Sequence, residues 1–201
     1  MNSVTLQRIQ EIYHLWKPVY PYLAQHVLQY YARQDGDILE IGPFCGLLFV
    51  LSEMKIGTSL SIATFPPEMV EFFRKETKNR RAEGNIGVIE IDSSLTGFEE
   101  NSIDLAIFRG AFFFPSLFKV EVSRIYNILR PGGVAFVGGG FGKFTPDFII
   151  EEIGKRSRDL NLQIGKVEIR KEEIWHEVET LSRKEKIELL SEGGIWLVMK
   201  K

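Results

Sequence analysis

The chain has 201 residues, 44% of them apolar and 26% charged, with a formal net charge of −2. This length suits one domain with a sizeable core. The charge balance excludes a general nucleic-acid binder, which needs a basic surplus, and no apolar run reaches the length of a membrane span. The single cysteine, Cys45, cannot form an internal disulfide. With an N-terminal segment that lacks an apolar signal core, this predicts a cytoplasmic protein. Fifteen phenylalanines point to a heavy core or an apolar cavity, the heavy core being the plainer reading.

In chain order, Leu6, Ile9, Ile12, Tyr13 and Trp16 have helical spacing, which predicts a helix over 5–17 that Pro18 and Pro21 break. A second helix is predicted over 22–33, and Gly36 then resets the chain. Short apolar strands follow at 37–41, 59–63, 87–91, 103–108 and 134–137. Helices are predicted between them at 46–55, from Pro66-Pro67-Glu68 to about Arg81, and at 116–129. The last of these stops at Arg130-Pro131-Gly132-Gly133, a helix-end and turn signal. Beyond it come a helix at 146–160, a strand at 166–170, one or two charged helices over 171–191 and a final strand at 195–199. The alternation of strand and helix predicts a mostly parallel sheet with helices on both faces. No linker or repeat divides the chain, so it reads as one domain, 1–201, with a helical segment at 1–35 and a helical insertion at 171–191.

The segment Glu40-Ile41-Gly42-Pro43-Phe44-Cys45-Gly46 leaves the first strand and enters a helix. Glycine lets backbone turn sharply and lie close to a ligand, and ligands of open α/β sheets sit outside the carboxyl ends of strands. This acid-and-glycine loop resembles the first motif of class I S-adenosylmethionine-dependent methyltransferases. Residues 97–105 and the run Arg124 to Gly133 also resemble that superfamily's late fold markers. The resemblance covers residues 36–140. It implies an α/β, Rossmann-like doubly wound sheet of about seven strands, mostly parallel, with an antiparallel last strand. It also implies S-adenosylmethionine as cofactor and in-line transfer of its methyl group.

By the same resemblance, Glu40 and Gly42 line the methionine part of the cofactor and Gly46 permits close helix–strand packing. Phe44 stands where the superfamily has its middle glycine. Thr64 stands at the end of the second strand, where an acid usually holds the ribose, and Asp92 ends the third strand, where an acid faces the adenine. Asp92 reads equally well as a turn-former. Arg109 joins this cofactor-facing set, or offers a cation to an anionic acceptor, or makes a surface ion pair.

Substrate-facing candidates are Tyr13, Trp16 and Tyr20, on an N-terminal segment read either as a lid or as plain helix packing, together with Phe112 and Lys143. Aromatic faces suit a sulfonium, although a buried cluster accounts for most of Phe112–Phe114. Gly138–Phe144 fails as a phosphate loop, because Val137 stands at its required first glycine and Phe144 at its Ser/Thr; it reads as a mobile loop beside the site. No residue presents itself as a catalytic base, and no metal-ligand cluster is evident. The acceptor expected is a small molecule, with a peptide left open and with no nucleic acid or membrane as partner. The alternative function is a catalytically degenerate binding or scaffold protein on the same fold.

Overall fold

The computed structural model of the chain describes residues 1–82, 84–92, 94–179 and 186–201. Five strands run parallel: β1 (Asp37–Ile41), β2 (Ser59–Thr64), β3 (Ile86–Glu90), β4 (Ile103–Arg109) and β5 (Leu129–Gly139). With β6 (Ile187–Leu190) and β7 (Ile195–Lys200) they form a seven-stranded sheet ordered β3-β2-β1-β4-β5-β7-β6, in which β7 is antiparallel to both neighbours. Strand order reverses between β1 and β4, which places the ligand crevice of an open α/β sheet at their carboxyl ends.

Around the sheet lie α1 (Ser3–Leu15), α2 (Tyr20–Leu28), α3 (Leu47–Glu53), α4 (Pro67–Asn79), α5 (Val122–Ile128), α6 (Asp147–Gln163) and α7 (Lys171–Val178). Every residue of β4 is buried. That is why Leu105–Phe108 is a continuous apolar run rather than an alternation: a central parallel strand is covered on both faces. Helix α1 starts where the Asn2 side chain accepts the Thr5 N–H at 2.8 Å, satisfying one otherwise orphan donor of the first turn. No helix among the described residues is long and apolar enough to cross a membrane.

Two elements differ from the sequence reading. The expected strand at 166–170 is not part of the sheet; it docks instead on the loop after β4, with the Val167 N–H donating to the Phe113 carbonyl at 2.9 Å. The sixth strand is Ile187–Leu190, inside the span expected to be helical. Four residues are too few for periodicity to tell strand from helix, and antiparallel pairing with β7 decides it. The helical reading holds at Lys171–Val178, and residues 180–185 lie outside the described residues. The turn expected at Pro131-Gly132-Gly133 differs as well. This run lies within β5 as a bulge, where pairing jumps from Ile103↔Leu129 to Leu105↔Val134.

At the amino-terminal edge of the sheet, Asp104 ties three segments together. Its carboxylate accepts the Asp37 N–H and an Arg33 N–H, each at 2.8 Å, and also bonds Arg130. Arg130 in turn pairs with Asp37 at 2.6 Å. Desolvation pulls the Asp104 pKa up, but the Asp37 N–H, Arg33 and Arg130 outweigh it and hold the carboxyl below the usual aspartate range. Asp104→Asn is expected to cost about 2–3 kcal/mol in denaturant unfolding at neutral pH, the range for bonds to a charged group. A folded pKa below the unfolded one gives stability that is present above the unfolded pKa and lost as pH falls through the folded pKa. The gap between wild type and variant should therefore narrow on acidification. A gap that stays constant down to pH 2 contradicts this assignment.

Candidate active site

The loop between β1 and α3 is built around a buried acid. Glu40 is fully buried, and its two oxygens accept the N–H groups of Gly46 (3.0 and 2.9 Å), Leu47 (3.1 Å) and Leu48 (3.0 Å). A helix start leaves its first N–H groups without partners, and Glu40 supplies them for α3. Burial pushes its pKa up, while those three amides and the charge of Arg109 pull it back. Where the resemblance has Glu40 line the cofactor, its carboxylate here is engaged by the start of α3. Gly42 has φ +94°, and a Cβ there would lie 2.6 Å from the Phe108 ring. The close approach that glycine permits is thus used by a side chain of the chain itself. At Gly46 the Tyr20 ring takes the same space, at 2.8 Å from a Cβ.

Phe44 is buried and stacks on Phe114 with ring centroids 4.6 Å apart. Its carbonyl accepts two bonds from Arg109, from Nε at 3.0 Å and Nη2 at 2.6 Å. The Phe118 ring lies 5.3 Å from Phe108, 5.6 Å from Phe65 and 6.4 Å from Phe44. It therefore packs among side chains at the carboxyl ends of β1, β2 and β4. Thr64 ends β2 fully buried, and its hydroxyl has no hydrogen-bond partner among the described residues. Asp92 is exposed and bonds the Ser94 hydroxyl and N–H, which hold its pKa below the usual range. Phenylalanine rings crowd the Gly42 end of the crevice expected between Gly42 and Asp92. Sequence reasoning missed Phe65 and Phe118; the phenylalanine excess was the signal that could have found them.

A cavity of about 570 Å³ opens on the other side of Phe44. Its walls are Arg109 and Gly110 at the end of β4, Gly139 and Gly140 at the end of β5, Trp16 after α1, and the Gly154–Ser157 face of α6. The floor depends on glycine: a Cβ on Gly140 would lie 2.3 Å from the Gly193 carbonyl, and one on Gly194 2.3 Å from the Gly139 carbonyl. Only bare backbone lets these segments touch. Trp16 stacks on Phe141 with centroids 4.8 Å apart and donates from its indole to Ser157 at 2.8 Å, closing α1 against α6. Arg109 is 4% exposed. Besides the Phe44 carbonyl it donates to the Tyr20 hydroxyl at 3.0 Å, and its guanidinium lies 4.7 Å from the Trp16 ring centre.

Of the substrate-facing candidates, only Trp16 reaches this cavity. Tyr13 donates to Glu76 at 2.6 Å and packs on Phe72 and Phe73, drawn there because a buried phenol needs an acceptor. Tyr20 is held behind the wall by Arg109. Phe112 borders a separate recess with Pro115 and Val167. Lys143 pairs with Glu192 at 2.7 Å, which takes its charge away from the cavity. The glycine run expected to be a mobile loop is tied down, with the Gly142 N–H donating to the Gly193 carbonyl at 2.7 Å. Phe113 and Phe114, which the sequence offers with Phe112 as possible sulfonium contacts, line the cavity, as does Phe141, which sequence reasoning did not single out. Cys45 donates to the Gly42 carbonyl at 2.9 Å, and burial pushes its thiol well up, away from nucleophile chemistry.

The methyltransferase domain family matches residues 39–137, the span from β1 to β5 that carries the Glu40 loop and the crevice. No curated protein matches the chain in sequence. Among solved structures, a Methanococcus maripaludis protein described as an S-adenosyl-L-methionine-dependent methyltransferase superposes with TM-score 0.77 at 22% identity, covering 100% of this chain and 95% of that one. A chain from the complex between the Haloferax volcanii Trm112 methyltransferase activator and a methyltransferase gives TM-score 0.65 at 13% identity, covering 100% and 98%. A SAM-dependent methyltransferase from Aquifex aeolicus gives 0.62 at 15%, covering 96% of each. These likenesses extend the fold over the whole chain. With the methyltransferase domain match over residues 39–137, the chain belongs to the class I S-adenosylmethionine-dependent methyltransferase superfamily.

Proposed function

We propose that this methyltransferase acts on a small molecule held in the cavity under α1 and α6. The cavity carries the reading: its 570 Å³ falls in the range of small-molecule sites, roughly 300–1,000 Å³. Phe44 lines it and belongs to the superfamily's cofactor loop, so the acceptor would lie one ring's thickness from the cofactor side. S-adenosylmethionine supplies the electrophilic methyl when bound. The chain's own part is positioning and exclusion of water, the main needs of an in-line displacement. Trp16 and Phe141 close the top, and the N-terminal helices act as a lid over the carboxyl edge. A cytoplasmic location fits the buried free thiol of Cys45.

The cofactor's polar partners would be Thr64 and Asp92. The Thr64 hydroxyl is buried without a bond, a costly arrangement in a free protein and a suitable one for a ribose hydroxyl. Asp92 is held ionised and exposed, ready to accept an adenine amino group. For both to be reached, Phe118 must leave the crevice, carrying with it the segment after β4.

Three substitutions test this in one calorimetric series with S-adenosylhomocysteine. Thr64→Val should stabilise the free protein by about 1 kcal/mol, because it removes an unsatisfied buried hydroxyl, and should weaken binding about tenfold. Asp92→Ala should weaken binding and lower stability slightly, since it also removes the bonds to Ser94. Phe118→Ala should tighten binding several-fold, since the ring no longer has to be displaced. Equal affinity in wild type and all three variants contradicts the placement of the cofactor. Absence of any binding contradicts the function.

A further inference from the structure

The cavity wall is charged in one direction. Arg109, Lys155, Arg158 and Lys166 line it, against one carboxylate, Glu151. Among the described residues no carboxylate pairs with any of these four cations. Some cations elsewhere, such as Arg33, Arg80, Arg130 and Lys143, do pair with carboxylates; what sets these four apart is that they gather on one cavity wall. Glu151 and Lys155 stand four apart on α6, the favourable order for a helical ion pair, yet no ion pair forms between them. Arg109 is the most telling of the four. It is over nine-tenths buried, it spends Nε and Nη2 on the neutral oxygens of Phe44 and Tyr20, and its Nη1 makes no bond. The buried Glu40 carboxylate acts on Arg109 only through space, with no hydrogen bond between them, so Nη1 is left to bond an anion in the cavity.

Next to these charges the cavity is aromatic, with Trp16, Phe44, Phe113, Phe114 and Phe141 on its walls. The Lys166 ammonium lies 5.2 Å from the Phe113 ring centre. Desolvation and the charge of Arg158 hold its pKa below the usual lysine range, so a negative ligand relieves repulsion between the two. Gly154 leaves the α6 wall open, since a Cβ there would meet only Ile150, at 3.9 Å.

From this arrangement we infer that the methyl acceptor is an anion, a carboxylate or phosphate, attached to a flat apolar body. The anionic group meets Arg109 and the Arg158–Lys166 pair, and the body lies among the rings. The inference rests on the proposed methyltransferase reading and narrows its acceptor class.

The test uses the full chain and three probes of one shape, namely 2-naphthoate, 2-naphthylmethanol and 2-naphthylmethylamine. Each is titrated by calorimetry at low salt, with and without saturating S-adenosylhomocysteine. The naphthoate should bind at least tenfold more tightly than the alcohol, and the amine not at all. Arg158→Glu with Lys166→Glu, both exposed positions, should abolish that preference. Gly154→Leu, which fills the α6 side of the cavity, should weaken naphthoate tenfold while leaving the thermal midpoint in place. Naphthoate and S-adenosylhomocysteine should bind together. Equal affinity for naphthoate and the alcohol, or a preference that survives both variants, overturns the inference. So does competition between naphthoate and S-adenosylhomocysteine, which would assign the Arg109 charge to the cofactor's own carboxylate. If S-adenosylhomocysteine fails to bind while the carboxylate preference stands, the methyltransferase reading fails and the anion site survives.

Discussion

The pair of hydrogen bonds from Arg109 to the Phe44 carbonyl decides the shape of the whole carboxyl edge. Arg109 ends β4 and Phe44 belongs to the loop after β1, so the bonds join the two strands between which the sheet order reverses. Held this way, the Phe44 ring becomes a partition. On one side lies the crevice that the fold reserves for a nucleotide, crowded at its Gly42 end by Phe118 and its neighbours. On the other lies an open aromatic cavity with unpaired cations. The buried hydroxyl of Thr64 has no hydrogen-bond partner among the described residues, and Arg109 bonds only neutral oxygens.

Two buried acids show how the same residue type serves the two ends of the sheet. Asp104, at the amino-terminal edge, is surrounded by arginines and a backbone N–H, and its charge is favoured. Glu40, toward the carboxyl edge, is fully desolvated, and the amides of α3 only partly offset that. Asp104 stabilises the charged form and locks the strand ends together. Glu40 fixes where α3 begins, and so where the Phe44 loop can lie. Both positions fall in motifs shared with the superfamily, and each has a structural task that needs no ligand.

Much of the fold was legible because its signals are local. Continuous apolar runs gave the five parallel strands, Pro67 at a helix start gave α4, and the alternation gave the layered architecture. The edge strand Ile187–Leu190 was not legible, since four residues carry no period and only the partner β7 makes them a strand. Of the residues named from the sequence, the fold brings some together and keeps others apart. The Glu40 loop and the β4 end do meet at the carboxyl edge, and Trp16 does reach the cavity. Tyr13 and Lys143 do not, because Glu76 and Glu192, far off in sequence, take them. Phe118 was invisible for a related reason. Nothing within its own segment says that its ring crosses back to Phe44, Phe65 and Phe108; only the path of the chain after β4 determines that.

The central claim is that the superfamily's cofactor enters by displacing the aromatic plug. Hydrogen exchange of backbone amides, followed with and without S-adenosylhomocysteine, tests it most directly. The turn amides of Leu117 and Phe118 are bonded to the Phe114 carbonyl in the plugged state. The account predicts that they exchange faster when the ligand is bound, while amides around Thr64 and Asp92 exchange more slowly. Tight binding that leaves residues 113–118 unchanged would contradict it.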